Sequence, residues 1–161
     1  MKSLCLLVSV LALTACAPDP PSTAASAPVT LSLRWRVEGL ANPESATLSD
    51  DGAFLYVTNV NGEGEAKDGN GFISRISTDG RVLEREFARG LDGPKGIMRG
   101  GDALYVADID QMVVVDAATG AVRRRVAAPG AVFLNDLTFA PDGNVLIADS
   151  GAGRIYAIRT D

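Results

Sequence analysis

Self-similarity at a regular spacing limits the possible folds of this chain more than any other feature. Segments 54–59 (FLYVTN), 103–108 (ALYVAD) and 144–149 (NVLIAD) align, and each closes on Asn or Asp. Thirteen to fifteen residues before those closing positions stand Glu44, Lys95 and Asn135, each opening a shorter apolar run. The paired runs are joined by Asp/Gly-rich turns at 49–52, 99–102 and 140–143, a strong hairpin signal. A third run follows at 71–76, 112–116 and 154–158; two of these lead through turns at 78–80 and 118–120 into a fourth, at 82–87 and 121–126.

Four short antiparallel strands repeating about every forty to fifty residues read as blades of an all-β β-propeller. A sandwich also has many short strands, but it does not place a polar residue at the start and end of every unit. About three four-stranded blades fit, near 38–88, 89–128 and 129–161. Closed propellers have about four to eight blades, so the ring is expected to be partial. Either the sequence is a piece of a longer protein or self-association of two or more chains completes one ring. An expected strand at 31–37 would donate to a final blade. Asn59, Asp108 and Asp149 read as structural residues on the rim opposite Glu44, Lys95 and Asn135.

The N-terminus has a different logic. Lys2 precedes an apolar stretch at 4–13, the length of a signal-peptide core and too short to span a bilayer. Residues 13–16 (LTAC) resemble the lipobox of bacterial lipoproteins. That resemblance implies removal of residues 1–15, lipidation of Cys16 and a membrane anchor through its acyl chains. Ala17 stands where an inner-membrane retention signal would place Asp. By resemblance to sorted lipoproteins the expected location is the cell envelope, on the periplasmic face of the outer membrane. Residues 16–30, rich in Pro, Ala, Ser and Thr, form an expected flexible linker ahead of a domain at 31–161.

The formal net charge is -5 and histidine is absent. The acidic balance argues against nucleic acid as a partner, and Arg123, Arg124 and Arg125 read as a solvated strand face. Without histidine, and with Cys5 inside the signal, Ser-His-Asp and Cys-His chemistry and the usual zinc sites are excluded.

The order of 43–45 (PES), 55–61 (LYVTNVN), 67–75 (KDGNGFISR), 93–96 (GPKG), 104–110 (LYVADID) and 134–136 (LND) resembles the SMP-30/gluconolactonase/LRE-like family of six-bladed propellers, over its N-terminal half. The resemblance implies a divalent cation, often calcium, at the mouth of the central channel and hydrolysis of sugar-derived lactones or esters. It assigns Glu44 as a metal ligand and Asn135, with Asp136 beside it, as substrate-binding. Lys95 shares their register and is a further substrate-binding candidate; its alternative is snorkelling to solvent. No catalytic residue is assigned. Hard oxygen donors suit such a cation, which polarises a carbonyl and acidifies water. The family's ligands from later blades have no counterpart in this sequence, so the hydrolase reading belongs more to an intact relative. A non-catalytic propeller binding a ligand or protein is the alternative. The acidic loop 61–70 lacks the spacing of an EF-hand.

Overall fold

The computed structural model describes residues 29–159. The expected signal peptide, the lipidated Cys16 and the linker up to residue 28 lie outside the described residues. Leu33–Asp161 forms one compact unit.

Asp/Gly turns fold the chain back on itself repeatedly, giving antiparallel meanders. The first sheet is β1 (Pro43–Leu48), β2 (Phe54–Asn59), β3 (Gly71–Ser77) and β4 (Val82–Leu91), paired in sequence order. The second is β5 (Pro94–Gly100), β6 (Ala103–Asp108), β7 (Gln111–Asp116) and β8 (Val122–Ala127). The third has β9 (Leu134–Phe139), β10 (Val145–Asp149) and β11 (Arg154–Ile158). Side chains fix the turns. Ser49 Oγ donates to Asp51 at 2.7 Å and accepts from the Phe54 N–H at 3.1 Å. Asp116 accepts from the Ala118 and Thr119 N–H groups at 2.9 and 2.7 Å. The next turn residue, Gly120, has φ 75°, and a Cβ there would lie 2.1 Å from the Phe87 carbonyl oxygen, so glycine is required.

The period-two alternation of β6 and β7 explains how the sheets stack. Leu104, Val106, Val113 and Val115 face a core shared with Tyr56, Ile73, Phe87 and Leu91 of the first sheet. Ala107 and Met112 face a second core with Leu134, Leu137, Val145 and Ile147 of the third. The middle sheet is thus covered on both faces, which accounts for its continuous apolar run at 112–115. Each fully buried Leu, Ile or Val contributes about 1.5–3 kcal/mol relative to exposure.

The first strand of each sheet lies beside its counterpart in the next, β5 packing against β1 on one side and β9 on the other. Sheets that share an axis through their first strands form a partial β-propeller, the expected architecture. Two expectations about the chain are corrected. Residues 31–37 form no strand; Leu31 and Leu33 are exposed, and Trp35 instead donates its indole N–H to the Thr78 carbonyl at 2.9 Å and packs on Gly80. The indole and its hydrogen bond seat Trp35 on the turn after β3, so this segment runs over a turn and not along a sheet edge. The end of the second strand lies on the same rim as the start of the first, because antiparallel pairing sets Pro43 opposite Asn59, Pro94 opposite Asp108 and Leu134 opposite Asp149. The fourth strand of the first sheet also extends past 87 to Leu91.

Gly96 sets the spacing between β5 and β9: a Cβ there would lie 2.7 Å from the Asn135 carbonyl oxygen and 2.8 Å from Asp136 Cα. Gly96→Ala is expected to cost about 1–3 kcal/mol, as overpacking against a backbone that cannot swing aside. Urea unfolding of the full chain measures this; an unchanged midpoint would show that the two strands can separate without penalty.

Candidate functional site

The three sequence-equivalent positions Glu44, Lys95 and Asn135 sit at irregularities in their strands. Register slips between Pro43 and Ala46 in β1 and between Pro94 and Ile97 in β5. In the third sheet the slip lies between Ile147 and Asp149, opposite the stretch from Leu137 back to Leu134. Glu44 with Ser45, Lys95 with Gly96, and Asn135 with Asp136 therefore occupy matching bulges, a device that re-aims side chains away from the regular pleat.

A buried polar side chain at the end of each second strand holds the chain arriving at each bulge. Asn59 Oδ1 accepts from the Ala41 N–H at 2.9 Å. Asp108 accepts from the Asp92 and Gly93 N–H groups at 3.1 and 2.8 Å. Asp149 accepts from those of Val132 and Phe133 at 3.1 and 2.9 Å, and from Gly151 and Ala152 at 3.1 and 3.0 Å. Burial pushes the Asp108 carboxyl above its ordinary value against those N–H donors. Burial acts the same way on Asp149, but four backbone donors outweigh it and hold that carboxyl below its ordinary value. The first bulge has an extra brace, since the buried Thr58 hydroxyl accepts from the Ser45 N–H at 3.0 Å and donates to the Lys95 carbonyl at 2.7 Å.

Glu44 of the first sheet feels the charges of Lys95 in the second and Asp136 in the third. Partial desolvation raises the Glu44 carboxyl above its ordinary value, the Asp136 carboxylate raises it further, and the Lys95 ammonium opposes both. Asn135 is half-buried, and its amide makes no side-chain hydrogen bond among the described residues. Asp136 is exposed and bonds the neighbouring Leu137 N–H at 2.8 Å.

Lys95 is 4% exposed and does not snorkel. Its ammonium donates to the Gly64 carbonyl at 2.7 Å and the Gly93 carbonyl at 2.9 Å, and lies 4.2 Å from the centre of the Phe133 ring. Burial lowers its pKa, opposed by Asp108, Glu44 and Glu65. One cation thus ties the 61–70 loop of the first sheet to the chain leading into the second and the third. The carboxylates of that loop are exposed, Asp68 bonding Asn70, and among the described residues no three Asp, Glu, His or Cys side chains cluster to hold a metal. Sequence reading missed Phe133 beneath Lys95 and Thr58 in the bulge. A Thr where the second strands of the other sheets carry Ala107 and Ala148 was the available signal for the latter.

No protein-family model matches the sequence, and no curated protein matches it. Among solved structures, a chain of the nidogen/laminin complex matches with a TM-score of 0.57 and 22% identity, over 74% of this chain and 44% of its own. A gluconolactonase from Xanthomonas campestris matches with a TM-score of 0.50 and 23% identity, over 71% of this chain and 37% of its own. This chain therefore spans less than half the length of either structure. These likenesses agree with the β-propeller fold.

Asn59 accepts one backbone N–H through Oδ1, whereas both Asp108 oxygens accept and Oδ2 also faces Arg125 at 3.8 Å, so Asp108→Asn is expected to cost about 1–2 kcal/mol, and Asp108→Ala, which strands two buried N–H groups, about 1–3 kcal/mol for each. Denaturant midpoints of the two variants check this. Equal losses would mean that the carboxylate charge, not the acceptor, matters.

Proposed function

We propose that this chain carries part of the axial site of a propeller hydrolase acting on a lactone or ester of a small, sugar-derived molecule. The observation that carries the reading is the placing of Glu44 and Asp136 in matching bulges at one rim of the first and third sheets. Two carboxylates and a free amide at one rim suit a polyhydroxylated ligand, whose hydroxyls they accept from and donate to. The same oxygens are hard donors of the type a divalent cation takes. Glu44 would hold one side of such an ion, calcium being the choice of the family the sequence resembles, with Asn135 and Asp136 meeting the substrate; the six to eight oxygens such an ion takes are more than these side chains supply. When bound, a cation of this kind polarises a carbonyl.

The chain's own residues do the remaining work. With no cation bound, Glu44, its carboxyl raised, takes a proton nearer neutrality than an ordinary glutamate, so cation and proton compete for it. Asn135 orients a hydroxyl, and the Lys95 ammonium, engaged by two carbonyls, stabilises negative charge at the rim from beneath. We place the protein in the bacterial envelope, anchored through Cys16 to the outer membrane, on the lipobox resemblance.

The second reading is a propeller that binds without turnover. It is favoured by the loop 61–70, which Lys95 pins through Gly64 beside the site, where it would serve as a contact surface. Turnover separates the two.

Calcium titrated into the full chain by calorimetry is expected to bind, and Glu44→Gln to weaken binding at least about tenfold, or about 1.4 kcal/mol. The sign of the pH dependence follows from the raised Glu44 pKa. The carboxylate is charged and able to bind above that value, and binding is lost as pH falls through it, earlier than for an ordinary glutamate. Glu44→Gln is expected to flatten that profile. Sugar-lactone hydrolysis that persists in excess chelator and in Glu44→Gln would sink the proposal; calcium binding without hydrolysis would favour the second reading.

A further inference from the structure

At the other end of the strands, a cleft of about 620 Å³ opens between the first and second sheets, among the β1–β2, β5–β6 and β7–β8 turns. Arg75 lines it. In the antiparallel register Arg75 faces Tyr56; the equivalent partners are Val114 for Tyr105 and Ala157 for Leu146. Two repeats thus place an apolar side chain where the first places a guanidinium. That group lies 4.1 Å from the Phe54 ring centre and 5.1 Å from that of Phe87.

Hydrogen-bond accounting shows what the cleft lacks. Arg75 Nε is buried with no partner among the described residues. Among the described residues the one carboxylate within 4 Å of it, Glu84, stands 3.9 Å from Nη1 and is itself 54% exposed, and the Asp51 carboxylate lies near enough to feel the Arg75 charge. The acids at the mouth already have donors: Asp50 pairs with Arg99, Asp102 with Arg123, and Asp51 bonds Ser49 and the Ala53 N–H. Arg99 and the Tyr56 hydroxyl are also engaged, with the Gly101 and Ala117 carbonyls at 2.5 Å each. Among the described residues Arg75 Nε is the one buried side-chain donor without an acceptor. A partly buried guanidinium without hydrogen bonds burdens a fold, and exchanging such a charge for a packed apolar group is often neutral or stabilising. Local departures of this kind concentrate at functional positions.

We propose that this cleft binds a small molecule through a carboxylate or phosphate group, gripped by the two Nη nitrogens of Arg75, whose guanidinium lies against Phe54, with Arg99 beside it. A planar guanidinium matches either oxyanion bidentately. The assignment is independent of the Glu44 rim, which lies at the opposite end of the sheets.

The test copies the second sheet. Wild type and Arg75→Val, whose valine is the residue at the equivalent position 114, are titrated as full chains with inorganic phosphate and, separately, succinate. Binding is followed by calorimetry and by the thermal midpoint. Wild type is expected to bind at least one probe, phosphate or succinate marking which oxyanion the cleft prefers. Arg75→Val is expected to bind at least about tenfold more weakly, with a ligand-free midpoint equal to or above that of wild type. Arg75→Lys, which keeps the charge but loses the fork, is expected to weaken binding while leaving the fold intact, and serves if the valine variant misfolds. The proposal is overturned if wild type responds to both probes no more than to chloride at equal ionic strength. It is also overturned if Arg75→Val lowers the midpoint yet retains wild-type binding, since Arg75 would then serve packing alone.

Discussion

A side-chain oxygen at the end of each second strand, gripping the main chain that leads into the first strand of the same sheet, is the contact on which the rest of this molecule depends. Asn59, Asp108 and Asp149 are each at most 1% exposed, and each accepts backbone N–H groups at equivalent places. Unpaired buried N–H groups are costly, so these bonds decide where each first strand may begin. Once that start is fixed, the bulge after it falls at the same position in every sheet. Three residues distant in sequence then share one rim.

Electrostatics at that rim follow from what the scaffold buries. A lysine in an apolar setting normally loses its charge or finds partners. Lys95 finds two carbonyls and an aromatic face, with Asp108, Glu44 and Glu65 near enough to favour the ammonium. It offsets part of the Asp136 repulsion that would otherwise drive the Glu44 carboxyl further toward the neutral form. The charge state of Glu44 is therefore a balance to which all three sheets contribute.

Much of this was readable in the sequence, for reasons that can be named. Period-two alternation, Asp/Gly turns and a polar residue at both ends of each unit are local signals, and they led to the sheets, to their boundaries within a few residues and to the equivalence of Glu44, Lys95 and Asn135. The rim assignment of Asn59, Asp108 and Asp149 failed on topology: in an antiparallel pair the end of one strand adjoins the start of its neighbour. Alternation at 31–37 encodes a face but not an edge to pair with, and the structure supplies a turn for Trp35 instead. The burial of Lys95 depends on Gly64 and Phe133, at separations no local pattern reports. Arg75 was visible only as one charge in a β-strand, and its oddity emerges when the register sets it beside Val114 and Ala157.

Gly96 has a wider meaning. Because β5 and β9 meet there main chain to main chain, distances across the rim are set by backbone and by the anchoring oxygens, not by the residues that carry the chemistry. Glutamate, lysine and asparagine occupy the same socket in successive units without altering its geometry. A lineage built on this scaffold can exchange one reactive group at a time and inherit the spacing unchanged, so new specificities are reachable through single substitutions with the architecture left intact.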